Sequence, residues 1–388
     1  MSPSVSERVE VVYMDHAATT PMRPEALAVM LPLLTEEYAN PSGSHRLARR
    51  ARKVLDESRD VVAFAIGCHP GEVVFTGCGT ESDNAAISGA IAALGGRAVC
   101  PAAEHHAVLH CIEHGDGRVV SNTADGTVDL ADLERVLVET PDVAVVSVMA
   151  VNNETGAVTD MAAVARVVRR HAPRAVLHTD AVQAACWLDL REVWRHVDAL
   201  ALSAHKFGGP KGVGILAIRA GVRLAPLLLG GGQERDRRSG THNVAGIAAA
   251  AEALRVTDET RPDETRRIAG FNAILRERIG ALDDVRFTLP AESAVPGVLN
   301  VCFSGVENES LLFLLDEAGV CASAASACAS GAMDPSHVLA AMGVPADWAR
   351  GSLRLSLGHT TTIDDVNRAA DVVVAAVTRI RERARNAS

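Results

Sequence analysis

Short apolar runs separated by helical patterns recur along the first two-thirds of the chain. EVVFTG, AVVSVMAV, AVLHTDAV, VDALALSA and VGILAI are brief and nearly continuous in aliphatic and β-branched residues, so they read as strands buried on both faces. ALAVMLPLLTEEY and DMAAVARVVRRHA instead place their apolar residues at helical spacing. Strand-helix alternation predicts an α/β fold with a mainly parallel sheet covered by helices on both faces. Ligands of such folds gather where the carboxyl ends of the strands meet loops.

From about Asp258 the texture changes. TDETRPDETRR reads as a charged linker or a helix start, IAGFNAILRERIGAL as a helix, and GVLNVCFSG as a strand. The last segment is a long amphipathic helix introduced by Thr362 and Asp365, spaced as a capping box. These signals predict a large domain over 15–257 and a smaller α+β domain formed by 1–14 and 258–388.

The 388 residues suit one large or two coupled domains, because single cores stop growing at a few hundred residues. A net charge of -10 argues against a nucleic-acid or anionic-membrane surface. The amino-terminal MSPSVSERVEVV lacks the basic region and apolar core of a secretory signal, and no apolar run reaches the roughly 18 residues of a membrane span. The expected compartment is the cytoplasm. None of the eight cysteines forms a CxxC pair, so no zinc or dithiol site is expected and each is weighed singly.

In SAHKFGGPKGVG, Lys206 follows a buried strand and precedes a glycine-rich turn. A lysine there is either a snorkelling surface residue or a desolvated amine. The amine would need a counter-charge for a cofactor ring, an anion cradle and a stacking group. Asp180 of HTDAVQ, at the end of a predicted strand, could hold a pyridinium nitrogen protonated, or could simply cap a helix. FTGCGTESDN is a strand, a glycine turn and a helix start, which aims backbone amides at an anion near Gly79 and Thr80, although a plain capped turn has the same pattern. His106, His110 and His114 recur every four residues and could face a metal, but no zincin motif accompanies them. His105, at the loop-to-helix transition, is better placed to stack on an aromatic cofactor.

Together YMDHAATTP, NPSGSH, FTGCGTESDNAAI, EHHAVL, VNNETG, HTDAVQ, SAHKFGGPKGVG, GGGQERDRRSGT, SAASACASG, DPSHVL and LRLSLG resemble, in order and over nearly the whole chain, the cysteine desulfurases of the nitrogen-fixation and iron-sulfur-cluster type, within the class V aminotransferase family. The resemblance implies a fold-type I transferase dependent on pyridoxal 5'-phosphate, with a mainly parallel seven-stranded sheet in the large domain. It implies that Lys206 bonds the cofactor and later moves the substrate's Cα proton, that Asp180 pairs the ring nitrogen, that Gln183 touches the phenolic oxygen and that His105 stacks on the ring. Thr80, Ser203 and His205 would hold the phosphate, completed by Thr241 from the partner subunit of a homodimer. Asn153 and Arg354 would orient the substrate carboxylate, arginine because its planar fork matches two oxygens.

The reaction class turns on Cys328, set among small residues in ASACASG. Free cysteines are usually small buried hydrophobes, a reading that fits Cys302, Cys111, Cys68, Cys100 and Cys186. For Cys328 the resemblance implies a nucleophile that takes sulfur from L-cysteine as a persulfide and passes it to an acceptor protein. The alternative is a class V aminotransferase or lyase in which Cys328 is dispensable; a catalytically silent scaffold is a third. The family commonly has glycine where this chain has Ala325, which bears on the mobility of Cys328. Cys78, in the phosphate turn, is expected to be a packing residue. Cys321 and His359 carry no assigned role.

Overall fold

The computed structural model describes residues 11–324 and 336–387. Its strands are β1 (Val12–Tyr13), β2 (Val73–Thr76), β3 (Arg97–Pro101), β4 (Arg118–Val120), β5 (Val143–Ser147), β6 (Val176–Asp180), β7 (Ala199–Ser203), β8 (Gly214–Ile218), β9 (Val285–Phe287), β10 (Val298–Phe303), β11 (Val320–Cys321) and β12 (Ser352–Ser356). The chain divides into two compact units. Of the described residues, the larger holds 19–152 and 157–263, and the smaller holds 11–18, 153–156, 264–324 and 336–387.

The larger unit is built on seven strands in the order β2-β8-β7-β6-β5-β3-β4. The apolar runs of the sequence fall on these strands, and every residue of β2, β5, β6, β7 and β8 is buried. Neighbours from β7 to β4 pair in parallel, whereas β8 is antiparallel to both β7 and β2. The reversal follows from the short connection after β7: antiparallel strands can be joined by a tight turn, while a parallel pair needs a long crossover. Gly208 at φ 87° and Gly212 at φ 79° supply the left-handed residues of that connection. Lys206 sits in the single 3-10 turn Ala204–Lys206 at the end of β7. Helix Gly79–Leu94 lays Ala86, Ile87 and Ala90 on the sheet against Val74, Val145 and Val176.

The smaller unit contains the antiparallel sheet β12-β10-β9 and the parallel pair β1-β11. TDETRPDETRR lies inside one continuous helix, Val244–Gly280, rather than forming a linker. The reason is its charge spacing. Arg255 pairs with Glu252 and Glu259, Arg261 with Asp258, and Arg267 with Glu264, all three or four residues apart on the helix surface, which offsets the interior Pro262. The expected capping box opens helix Ile363–Ala387: the Asp365 amide donates to Thr362 Oγ1 at 3.2 Å, and the Thr362 amide donates to Asp365 Oδ2 at 2.8 Å.

Candidate active site

In the larger unit, adjacent parallel strands β6 and β7 end at Asp180 and Ser203, and the chain continues from Ser203 directly into His205 and Lys206. Asp180 is buried, and its Oδ1 accepts the Val182 amide at 2.9 Å, closing a turn instead of capping a helix. Burial pushes the Asp180 carboxyl above its ordinary range. His105, the Val182 amide and Lys206 pull the other way, in that order, so the two candidate cofactor groups both act electrostatically on this carboxylate. Gln183 is half-buried in the same turn.

Gly79 is the first residue of helix Gly79–Leu94, and Thr80, the second, is exposed. A Cβ on Gly79 would come within 2.9 Å of Val182 Cγ2 and 3.2 Å of Ser203 Cβ, so only glycine lets the helix start approach the ends of both strands. The free amides of that helix start therefore lie beside Ser203. Cys78, expected to be a packing residue, is instead exposed and caps the helix: its Sγ accepts the Glu81 amide at 3.4 Å. His105 caps helix His106–His114, its Nδ1 accepting the Ala107 amide at 3.1 Å.

His205 is held by Thr19 and Thr20. Its Nδ1 lies 3.0 Å from Thr19 Oγ1, and its carbonyl accepts from the Thr20 amide and hydroxyl. Burial lowers His205 to about 4, helped by Lys206 and Lys211, so the ring is neutral at pH 7. Thr241 is exposed, three residues before helix Val244–Gly280.

Asn153 and Arg354 belong to the smaller unit. Arg354, on β12, is buried; its Nη1 donates to the Asn153 carbonyl at 3.0 Å and its Nη2 to Asp15 Oδ1 at 2.8 Å. Cys328 and Ala325 lie outside the described residues. Cys321 ends β11, where burial raises its thiol together with Asp316 and Asp15. Burial also raises Cys68 to about 12 and Cys302 to about 11, and places Cys100 above its ordinary value, which makes these three poor thiolates.

Sequence reasoning passed over several polar groups packed behind this set. Asp83, Glu104, Ser147 and His178 are all buried in the larger unit, and Asp15 is the ion-pair partner of Arg354. Their one signal was position: His178 interrupts an apolar strand, and Asp83 stands on the sheet-facing side of its helix. As a donor set, the larger unit offers a buried carboxylate for a basic heteroaromatic nitrogen, an amine for a carbonyl carbon and a helix start for an anion. That combination fits a flat, phosphorylated, pyridine-bearing aldehyde.

Comparison with known proteins agrees with this chemistry. The family model described as aminotransferase class-V matches residues 12–369. A cysteine desulfurase IscS of Dictyoglomus turgidum is 38% identical over 379 residues, covering 95% of each chain. An IscS-like cysteine desulfurase of Mycobacterium tuberculosis is 40% identical over 392 residues, covering 96% of this chain and 98% of that one. The solved structure of a NifS-like protein superposes with a TM-score of 0.88 at 33% identity, covering 95% of this chain and 100% of its own.

Proposed function

We propose, from the premise that this chain belongs to the class-V aminotransferase family, that it is a cysteine desulfurase converting L-cysteine to L-alanine and passing the sulfur on as a persulfide. The observation that carries the reading is the convergence of Lys206, Asp180, His105 and the Gly79 helix start on the carboxyl ends of β6 and β7.

Pyridoxal 5'-phosphate is the cofactor that this donor set suits, and when bound it supplies an electron sink that acidifies the substrate's Cα–H and weakens its Cβ–sulfur bond. Lys206 Nζ would anchor it and afterwards carry the Cα proton. Asp180 would hold the ring nitrogen protonated, and His105 would lie against the ring face. Gln183 would donate to the phenolic oxygen. The amides of Gly79 and Thr80, the Ser203 hydroxyl and the Nε2–H of neutral His205 would bind the phosphate, as would Thr241 of a second subunit in a homodimer. Asn153 and Arg354 would hold the substrate carboxylate.

Cys328, as thiolate, attacks the substrate sulfur. The new S–S bond forms as the Cβ–sulfur bond breaks, and the electron pair left on carbon takes up protons to give alanine. The persulfide then passes to an acceptor protein that serves iron-sulfur cluster assembly or thiolation. A reducing compartment, the cytoplasm, suits a chain whose working group is a thiolate.

The test is a paired assay of wild type and Cys328→Ala, reading the absorbance of the bound cofactor and the alanine and sulfide made from L-cysteine with a reductant. Both proteins should be yellow, and only wild type should form alanine and sulfide. A fully active variant would transfer the reading to an aminotransferase or lyase without persulfide chemistry, and a colourless wild type would remove the cofactor.

A further inference from the structure

Behind Asp180 lies a line of buried polar side chains that the proposed chemistry leaves unused. His178 stands two residues before Asp180 on β6, and so on the same face of the sheet. Its Nδ1 is 2.8 Å from the hydroxyl of Ser147, which ends β5. Its Nε2 is 3.6 Å from Oδ1 of Asp83, on helix Gly79–Leu94. His178 is 0% exposed and Asp83 1%, and among the described residues neither Nε2 nor Oδ1 has a hydrogen-bond partner. Each therefore faces the other across a gap just beyond hydrogen-bond range and too narrow for a water.

The surroundings restrict what charge this pair can carry. Glu104, from the segment before helix His106–His114, and Asp180, from β6, both act electrostatically on Asp83, as do the thiols of Cys78 and Cys111. Lys206 and His105 act on Asp180. Three carboxyls in one dry site cannot all be ionised, and the cationic side of the site belongs to Asp180.

We propose that a single proton occupies the gap between Asp83 Oδ1 and His178 Nε2, so that Asp180 is the carboxylate left to carry negative charge toward a ligand. The proton resides on Asp83 Oδ1 and points at His178 Nε2. The imidazole is neutral, and its own proton is on Nδ1, donated to Ser147 Oγ. Asp83 and His178 are thus positioning residues. Burial supports the assignment from both sides: with Asp180 and Glu104 it raises the Asp83 carboxyl well above its ordinary range, and it lowers His178 to about 3. A serine hydroxyl accepts or donates equally well, so the tautomer of His178 is decided at Nε2, by Asp83. Only the identity of the ligand at Asp180 rests on the function proposed above.

The experiment is nitrogen NMR of the full-length protein labelled with 15N-histidine and purified with its cofactor, His178 being assigned by the signal lost in His178→Gln. The expected spectrum at pH 7 is a neutral ring protonated on Nδ1. Asp83→Asn, whose amide can donate to the same nitrogen, should keep that tautomer. Asp83→Leu, with no proton to give, should populate both tautomers. An Nε2-protonated ring or an imidazolium in wild type would overturn the proposal, as would a Leu variant that leaves the tautomer unchanged. Where a variant fails to fold, the wild-type spectrum decides. If the cofactor absorbs and titrates, Asp83→Asn should leave its apparent pKa in place; removal of a charged Asp83 would shift proton affinity about tenfold or more, and such a shift would equally overturn it. A chain that binds no cofactor would defeat the proposed function but leave the tautomer result standing.

Discussion

Arg354 and Asp15 meet at 2.8 Å in the smaller unit, Nη2 donating to Oδ1, while Nη1 is committed to the Asn153 carbonyl. A guanidinium has five N–H donors, so two can fix the plane of the fork and the others stay available for a substrate carboxylate. A lysine cannot do both, because its ammonium is a point donor on a flexible stem. Arg354→Lys should therefore lose about 10- to 100-fold in kcat/KM for L-cysteine, mostly as raised KM, equivalent to one charged hydrogen bond of roughly 1.5–3 kcal/mol. Steady-state alanine formation measures this. An unchanged KM would mean that Arg354 serves the fold through Asp15 and does not touch substrate.

Glu234 is the most heavily bonded buried carboxylate on the loop that leads to Thr241. It takes Arg59 on both oxygens at 2.7 and 2.8 Å, the Phe75 amide at 3.0 Å and His242 at 2.8 Å. Glu234, Arg235 and Asp236 all have left-handed backbone, with φ of 49°, 57° and 62°, which is costly for side chains other than glycine. The buried ion pair holds that strained segment down. Arg59→Ala leaves the buried carboxylate without its guanidinium partner and should destabilise by about 3–5 kcal/mol in urea unfolding at pH 7. Asp236→Gly relieves one left-handed residue and should be neutral or stabilising by up to about 1 kcal/mol. Burial opposes ionisation of Glu234, but Arg59, His242 and Phe75 together bring it down to about 2. Its contribution is full above the ordinary 4.5 and is lost as pH falls through that window toward 2.

The sheet strands, the helix start at Gly79 and the Thr362 capping box were legible because each depends on local pattern: uniform apolar runs, a glycine before polar helix-starting residues, and a hydroxyl three residues before a carboxylate. The assignments of Lys206, Asp180 and Arg354 came from ordered motifs, since no periodicity tells a working lysine from a snorkelling one. What could not be read were relationships set by tertiary approach. Nothing local connects Asp83 to His178, or Asp15 to Arg354, positions 95 and 339 residues apart along the chain. The continuity of helix Val244–Gly280 was hidden by Pro262 and dense charge, although the three- and four-residue spacing of that charge is itself a helical signal.

Thr362→Ala tests a smaller term. Removing the hydroxyl frees the Asp365 amide and one arm of the reciprocal cap at the start of helix Ile363–Ala387. The cost should be about 1 kcal/mol, with Thr362→Ser close to wild type because serine keeps the acceptor. Equal losses in the two variants would show that the threonine methyl, not the cap, is the contributor.

The pH dependence of stability above the range of Glu234 should come from buried histidines. His16 is lowered to about 4, first by burial and then by His359, with Asp365 opposing; His178 is lowered to about 3 by burial. Both start from 6.5 in the unfolded chain. As pH falls below that value the unfolded state takes up protons that the folded state refuses, so stability declines until the folded values are reached. Each histidine contributes a slope of roughly 1.4 kcal/mol per pH unit across its window. The raised carboxyls of Asp83 and Glu104 act with the opposite sign, because they are protonated in the fold and ionised out of it. A difference between two proteins sharing those carboxyls cancels them. Urea unfolding of wild type and His16→Gln at pH 7 and pH 5 should therefore diverge with pH, the variant losing less stability on acidification by about one proton's worth of slope. Parallel losses would show that His16 accepts a proton in the folded state, and that its contacts with Thr360 and Thr361 do not depend on a neutral ring.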